Sequence, residues 1–369
     1  VRSFLLRVGL IGLVTLVGAE TLLASEKVDA LIQAELAKDP IGGISVGIVQ
    51  GSELVYEAAF GYADMEKKIE ATPQHVYRIG SITKQLTGLA LLKMSQDGTV
   101  RLSDPVESHV PEVKRVRDRY PGAPPITLVQ LATMTSGLAR EPEDLPSYLV
   151  GPASVWVDVV LRALPAVKYD FAPDTRYQYS NIGYAILGVA LERASGRDYM
   201  DYVREELLAP LGMKDSDFVP RPHFEARIAK GYVLRDGEID AETPAREHAG
   251  RGYKVPNGAL YSTVADLARF ISFQLGHGPE GVLPSDVLAD NFSRVSSADG
   301  DLSAGYGIGF RVVRRGERLV FGHGGSVAGY RAGAYFERES GRGVVVLRNV
   351  TGDDVDVTEL AMRILELEP

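Results

Sequence analysis

The chain contains no cysteine. It can therefore form no disulfide, no thiolate metal site and no lipid attachment through an N-terminal cysteine. Histidine is scarce as well: the six residues occur singly, with no His-x-x-x-His or similar spacing, so neither a metal nor a cofactor is expected. Excess positive charge is also missing. A net charge of −9 argues against a surface that tracks phosphates, and the run KRVRDRY is short, is broken by Asp118 and reads as a solvated face. Nucleic acid is not an expected partner.

Long apolar runs are equally rare. The stretch from Val8 to Ala19 has about 12 residues, short of the ~20 that a membrane-spanning helix needs. Arg2 and Arg7 precede it, Glu20 follows it, and Val17 and Ala19 are small residues near its end, which is the charged, apolar and small-residue order of a secretory signal. Residues 1–24 are thus expected to be a signal peptide, or an anchor reaching back to Phe4 if uncleaved. The protein would be exported, to the periplasm or beyond.

What is present is ordinary globular material: 369 residues, 45% hydrophobic and 24% charged, enough for a sizeable core. After the leader, EKVDALIQAELAKD has apolar residues at helical spacing, and ISVGIVQGSELVYEAAFGYAD alternates as two strands around Gly51-Ser52. Near the other end RLVFGHGGS, YRAGAYFERE and GRGVVVLRNV read as three strands between glycine-rich turns, before a helix from about Val355 to Leu367. Between them, from about 81 to 240, helical segments end repeatedly at glycine. The expected architecture is α+β: one domain over 25–369, an antiparallel sheet flanked by N- and C-terminal helices, with a large helical subdomain inserted. A cleft between the two parts is the natural place for a site.

Three short patterns carry chemistry. In RIGSITKQL, Ser81 and Lys84 stand three apart, a spacing that brings a hydroxyl and an amine onto one face of a helix and suits a serine activated by a base. The same pair also fits a capping serine beside a solvated lysine. In YQYSNIGYAILG, Tyr179 and Asn181 stand two apart before a long helical run; the competing reading makes Asn181 a helix N-cap. In FGHGGSVAGY, His323, Gly324 and Gly325 fall in an expected strand, where two small residues would let a substrate backbone approach. His248-Ala249-Gly250 matches that last pattern too, without a strand around it.

Taken in this order, the three patterns resemble the serine beta-lactamase and penicillin-binding protein family, in particular its class C and D-alanyl-D-alanine carboxypeptidase branch. The likeness extends through VYRIGSITKQLTGLALLKMSQDGTVRLSDPV, MTSGL, LAPLGM, GALYSTVADLARF and YGIGF, from about Val28 to the C-terminus. There is no Ser-Asp-Asn and no Lys-Thr-Gly, and the Gly-x-Ser-x-Gly match at Gly43–Gly47 falls inside an expected strand and not at the strand-to-helix turn of a nucleophile elbow. The resemblance implies a beta-lactamase/transpeptidase-like fold and a serine hydrolase working through an acyl-enzyme. It implies Ser81 as nucleophile, Lys84 as a lysine of lowered pKa beside it, and Tyr179 as proton relay. It further implies that Asn181 holds the substrate carbonyl and that the backbone N–H groups of Ser81 and Ser326 form the oxyanion hole.

Two departures stand out. His323 replaces the lysine of true class C beta-lactamases, so a permanent charge for a substrate carboxylate is missing there, and a histidine titrating between pH 5.5 and 7.5 is expected in its place. Met134 stands in the MTSGL segment where the family commonly has histidine. The implied substrates are D-amino-acid peptides, peptidoglycan fragments or small amides and esters. The alternatives are a family VIII-like carboxylesterase and a catalytically silent relative that binds peptidoglycan or a partner.

Overall fold

The computed structural model describes residues 25–149, 151–249, 251–292, 295–297 and 304–367; the expected signal segment 1–24 lies outside the described residues. Helix α1 (25–36) comes first, and Val28 and Ile32, four apart and so on one face, are both buried. The hairpin β1 (Gly43–Gln50) and β2 (Glu53–Asp64) follows, then the short β3 (Ile69–Glu70). The remaining strands of this sheet come from the far end of the chain: β4 (Ser296–Ser297), β5 (Ala304–Tyr306), β6 (Arg311–Arg315), β7 (Arg318–Val327), β8 (Tyr330–Glu337) and β9 (Arg342–Arg348).

Their order across the sheet is β3-β2-β1-β9-β8-β7-β6-β5-β4, antiparallel at each junction. β1 pairs with β9, Val46 opposite Val346, so the N-terminal hairpin closes on the last strand. Everything from residue 71 to 295 is therefore an insertion.

The central strands are apolar on both faces because both faces are covered. On one side α1 and the C-terminal helix α5 (Val357–Glu366) bury Val28, Ile32, Val46, Val346, Leu360 and Ile364 in one cluster. Each such side chain contributes about 1.5–3 kcal/mol relative to exposure. On the other side lie helix α4 (Val264–Gln274) and the helical block. Within that block α2 (Thr83–Gln96) is buried nearly all round, as is the first ten-residue run of α3 (Asn181–Ser195) from Ile182 to Leu191. A helix without a polar face belongs in the middle of a packed body.

The fold is the expected one, with a difference at the end of the helical block. Residues 232–240 form a hairpin, Tyr232–Arg235 with Glu238–Asp240, and its first strand runs parallel to Val350–Thr351. Asp236 and Gly237 both have positive φ, +52° and +82°, the turn for which Asp-Gly is favoured. The segment RDYMDYVREELLAPLG is helical as expected over Tyr199–Val203, then widens into a π-helical turn over Arg204–Leu208.

Candidate active site

Ser81 sits in the tight turn Gly80–Ile82 that leads into α2, and Lys84 follows on the first α-helical turn. The Ser81 Oγ lies 3.1 Å from Lys84 Nζ, which also donates to the Asn257 carbonyl at 2.7 Å. Lys84 is fully buried. Burial pulls its pKa well below the ordinary lysine value; Glu141 opposes that shift, while Arg140, Arg311 and Lys254 add to it. A lowered pKa raises the share of neutral amine, the form that can accept the serine proton.

Tyr179 hydrogen-bonds to Ser81, and its ring lies 4.9 Å from Lys84 Nζ. Burial holds its phenol well above the ordinary tyrosine range, against the opposing influence of the Ser81 bond, Arg311 and Arg140. It is therefore a neutral donor, poised between serine and solvent. The loop that carries it is clamped by Met134, whose carbonyl accepts from the Gln178 N–H at 2.9 Å and whose Sδ accepts from the Ser180 N–H at 3.2 Å. Ser180, rather than Asn181, caps α3: its hydroxyl accepts from the Gly183 N–H. Asn181 is the first helical residue, and its Nδ2 donates to Glu141. It is not among the residues that line the cleft.

The third wall is the end of β7. Beyond Gly322 this strand outruns its partner β6, so residues 323–327 are paired on the β8 side only. The opposite edge packs on the Ser81 turn so closely that a β-carbon on Gly325 would lie 1.9 Å from the Ile79 carbonyl oxygen and 3.2 Å from the Ser81 nitrogen. Only glycine fits there. A β-carbon on Gly80 would lie 2.7 Å from the Ser326 nitrogen, so the Ser81 and Ser326 N–H groups stand at the meeting of turn and strand, where a developing oxyanion would be held. Gly324 and Ser326 also line the cleft.

His323 departs from its expected behaviour. It is 1% exposed, donates through Nδ1 to the Gly324 carbonyl, and its Nε2 accepts from the Tyr306 hydroxyl at 3.1 Å. Its ring lies 5.9 Å from that of Tyr179. Burial drives its pKa well below the ordinary value, and Arg311 and Lys84 push it further. Burial thus favours the neutral imidazole and shifts its titration below the expected range.

Ser81, Tyr179, His323 and the Gly324–Ser326 edge line a cleft of about 650 Å³ together with Arg140, Arg311 and Arg331 and the carboxylates of Asp353, Asp354 and Asp356. Arg331 is tied to the Val355 and Asp353 carbonyls. Arg140 and Arg311 instead stack near the Tyr179 ring, at 4.9 and 5.4 Å, and neither pairs with a carboxylate among the described residues. The cationic groups of the cleft are therefore guanidiniums, not the third motif. Arg140, Arg311, Glu141 and Asn257 were not marked by any of the three sequence patterns; they reach the site through tertiary packing, Arg140 and Glu141 from one loop and Asn257 and Arg311 from two other segments. Among the described residues no group of three His, Asp or Glu side chains is arranged to hold a metal ion.

Comparison with known proteins agrees with this geometry. The chain is 30% identical over 335 residues to Protein flp of Staphylococcus aureus strain MW2, covering 90% of this chain and 64% of that protein. It is 32% identical over 231 residues to the D-alanyl-D-alanine-carboxypeptidase/endopeptidase AmpH of Escherichia coli K12, covering 62% of this chain and 56% of that one. The chain thus spans less than two thirds of the length of these curated relatives. The solved D-amino acid amidase of Ochrobactrum anthropi SV3 superposes with a TM-score of 0.76 at 25% identity, over 92% of this chain and 98% of the amidase. The sequence model of the beta-lactamase family matches residues 28–368, and with the serine, lysine and tyrosine assembled at one cleft the chain belongs to the beta-lactamase family of serine hydrolases.

Proposed function

We propose that the protein cleaves amide or ester bonds in D-amino-acid peptides and in small amides or esters that carry a carboxylate, through an acyl-enzyme on Ser81. As Ser81 Oγ attacks the carbonyl carbon, its proton passes to the neutral Lys84 amine 3.1 Å away. The oxyanion is held by the Ser81 and Ser326 N–H groups. Collapse breaks the bond to the leaving amine or alkoxide, which takes a proton from Tyr179, and Lys84 restores the phenol. Water then attacks the ester, giving up its proton to the same pair, and the acid is released with Ser81 regenerated.

The observation that carries the substrate class is the pair Arg140 and Arg311, which line the cleft beside Tyr179 without a carboxylate partner among the described residues. A guanidinium matches a carboxylate in shape as well as charge. The names of AmpH and of the D-amino acid amidase refer to D-configured substrates, which supports the D-configuration proposed here. Export through residues 1–24 forms part of the proposal, and fractionation of cells making the chain from its native start tests it: protein confined to the cytoplasm would remove that part.

The substrate class is tested by comparing kcat/KM for an acyl-D-Ala-D-Ala peptide, its C-terminal amide and a neutral p-nitrophenyl ester. Hydrogen bonds to charged groups are worth about 1.5–3 kcal/mol, so Arg311→Ala should lower the value for the carboxylate peptide by roughly 10–100-fold and spare the neutral ester. An unchanged ratio between the two would overturn the carboxylate reading, and a preference for the ester throughout would turn it toward a carboxylesterase.

A further inference from the structure

One ionisable group in this region has no part in the three motifs and no place in the chemistry above. Glu141, half-buried, uses both carboxylate oxygens: Oε1 accepts from Asn181 Nδ2, and Oε2 accepts from the Tyr253 hydroxyl at 2.5 Å. Only the NH₂ side of an amide can donate to a carboxylate, so this contact fixes which way the Asn181 side chain faces. Tyr253 and Asn181 then converge on a second residue. Asn257 Nδ2 donates to the Tyr253 carbonyl at 3.0 Å and to the Asn181 carbonyl at 3.3 Å, and the Asn257 carbonyl takes the bond from Lys84 Nζ. A continuous chain of contacts therefore runs from Glu141 through Tyr253 and Asn257 to the amine beside Ser81.

Charge follows the same path. The groups that face Lys84 are Arg140 and Arg311 across the Tyr179 ring, Lys254 behind Asn257, the neutral His323, and the phenols of Tyr179 and Tyr184. Lys254 is paired with Glu247 at 3.0 Å. Among the strongest charges acting on Lys84, Glu141 is the one that favours its protonated form. When Ser81 gives up its proton, an ammonium forms among three other cations, and a fixed anion nearby lowers the energy of that state.

Resting on the acyl-enzyme reading, we infer that Glu141 is a positioning residue for acylation: it orients Asn181 and the Asn257 carbonyl, and it is the counter-charge for the ammonium that Lys84 becomes. It touches neither substrate nor the reacting atoms.

The test uses the full chain and a neutral p-nitrophenyl ester, with the rate of acylation followed across pH for the wild type, Glu141→Gln and Glu141→Asp. Activity that needs neutral Lys84 rises with pH through the lysine's pKa. Removing the anion lowers that pKa, so in Glu141→Gln the acid limb moves to lower pH while the plateau rate falls. Glu141→Asp keeps the charge, and its limb should return toward the wild-type position. A merely structural glutamate would lower the rate in both variants and leave both limbs where they were, and that result overturns the inference. Lys84→Met separates the two readings: if it acylates normally the acyl-enzyme scheme itself is at fault, whereas if it is inactive while Glu141→Gln keeps the wild-type limb, the role of Glu141 alone is lost.

Discussion

Met134 holds Ser180 through a sulfur: its Sδ accepts the Ser180 N–H at 3.2 Å while its own backbone, at φ +63°, accepts from Gln178. Tyr179 lies between the two anchored nitrogens. The residue that departs from the family's usual histidine is thus a clamp on the tyrosine loop, 1% exposed and packed in the main core.

Replacing Met134 with alanine should leave a cavity and strand the Ser180 N–H. Truncations of this kind cost about 2–5 kcal/mol, which thermal unfolding would register. Because the loop loses its tether, kcat should fall more than KM changes. A variant that loses stability but keeps the wild-type kcat would show that Tyr179 is held by other contacts.

Tyr179→Phe removes the hydroxyl while keeping the ring between Arg140, Arg311 and Lys84. If the phenol donates to the leaving group and relays the hydrolytic proton, the rate should drop by ~10²–10⁴, with little change in melting temperature. Stopped-flow resolution of acylation and deacylation checks both steps. Near-normal turnover would assign the proton to Lys84 alone.

Lys84 makes a prediction about stability that is independent of substrate. Its pKa is lower in the folded protein than the usual 10.5, so between the folded and unfolded values the unfolded chain binds the extra proton. Stability contributed by this site therefore rises with pH through that window, by up to about 1.4 kcal/mol per unit, and levels off above the unfolded pKa. Lys84→Met should be inactive, should be no less stable than the wild type at neutral pH, and should lack this slope in denaturant titrations. Equal slopes in the two proteins would mean that Lys84 is charged in the native state.

The motifs and the sheet were legible because they are local. Ser81 and Lys84 share one turn, β1, β7, β8 and β9 are written as apolar runs between turn residues, and the end of α3 at Gly196 is marked by composition. Burial was not legible. Nothing in FGHGGS says that His323 is enclosed by Tyr179 and Tyr306, and burial of this kind is what shifts its titration below the expected range. The same holds for charge: Arg140 follows MTSGL by two residues and Arg311 follows YGIGF directly, yet their meeting over one tyrosine ring depends on β6 and the 134–140 loop arriving at the same cleft. The hairpin at 232–240 is a different case, since its Asp236-Gly237 turn was written in the sequence and helical periodicity upstream obscured it.

The covalent step on Ser81 is tested most directly by acid-quenching the enzyme during turnover of a slow ester or a fluorescent penicillin and mapping the modified peptide by mass spectrometry. The adduct should fall on the peptide containing Ser81, with the mass of the acyl group, and should be absent from Ser81→Ala. An adduct on another residue, or labelling that survives Ser81→Ala, would contradict the mechanism.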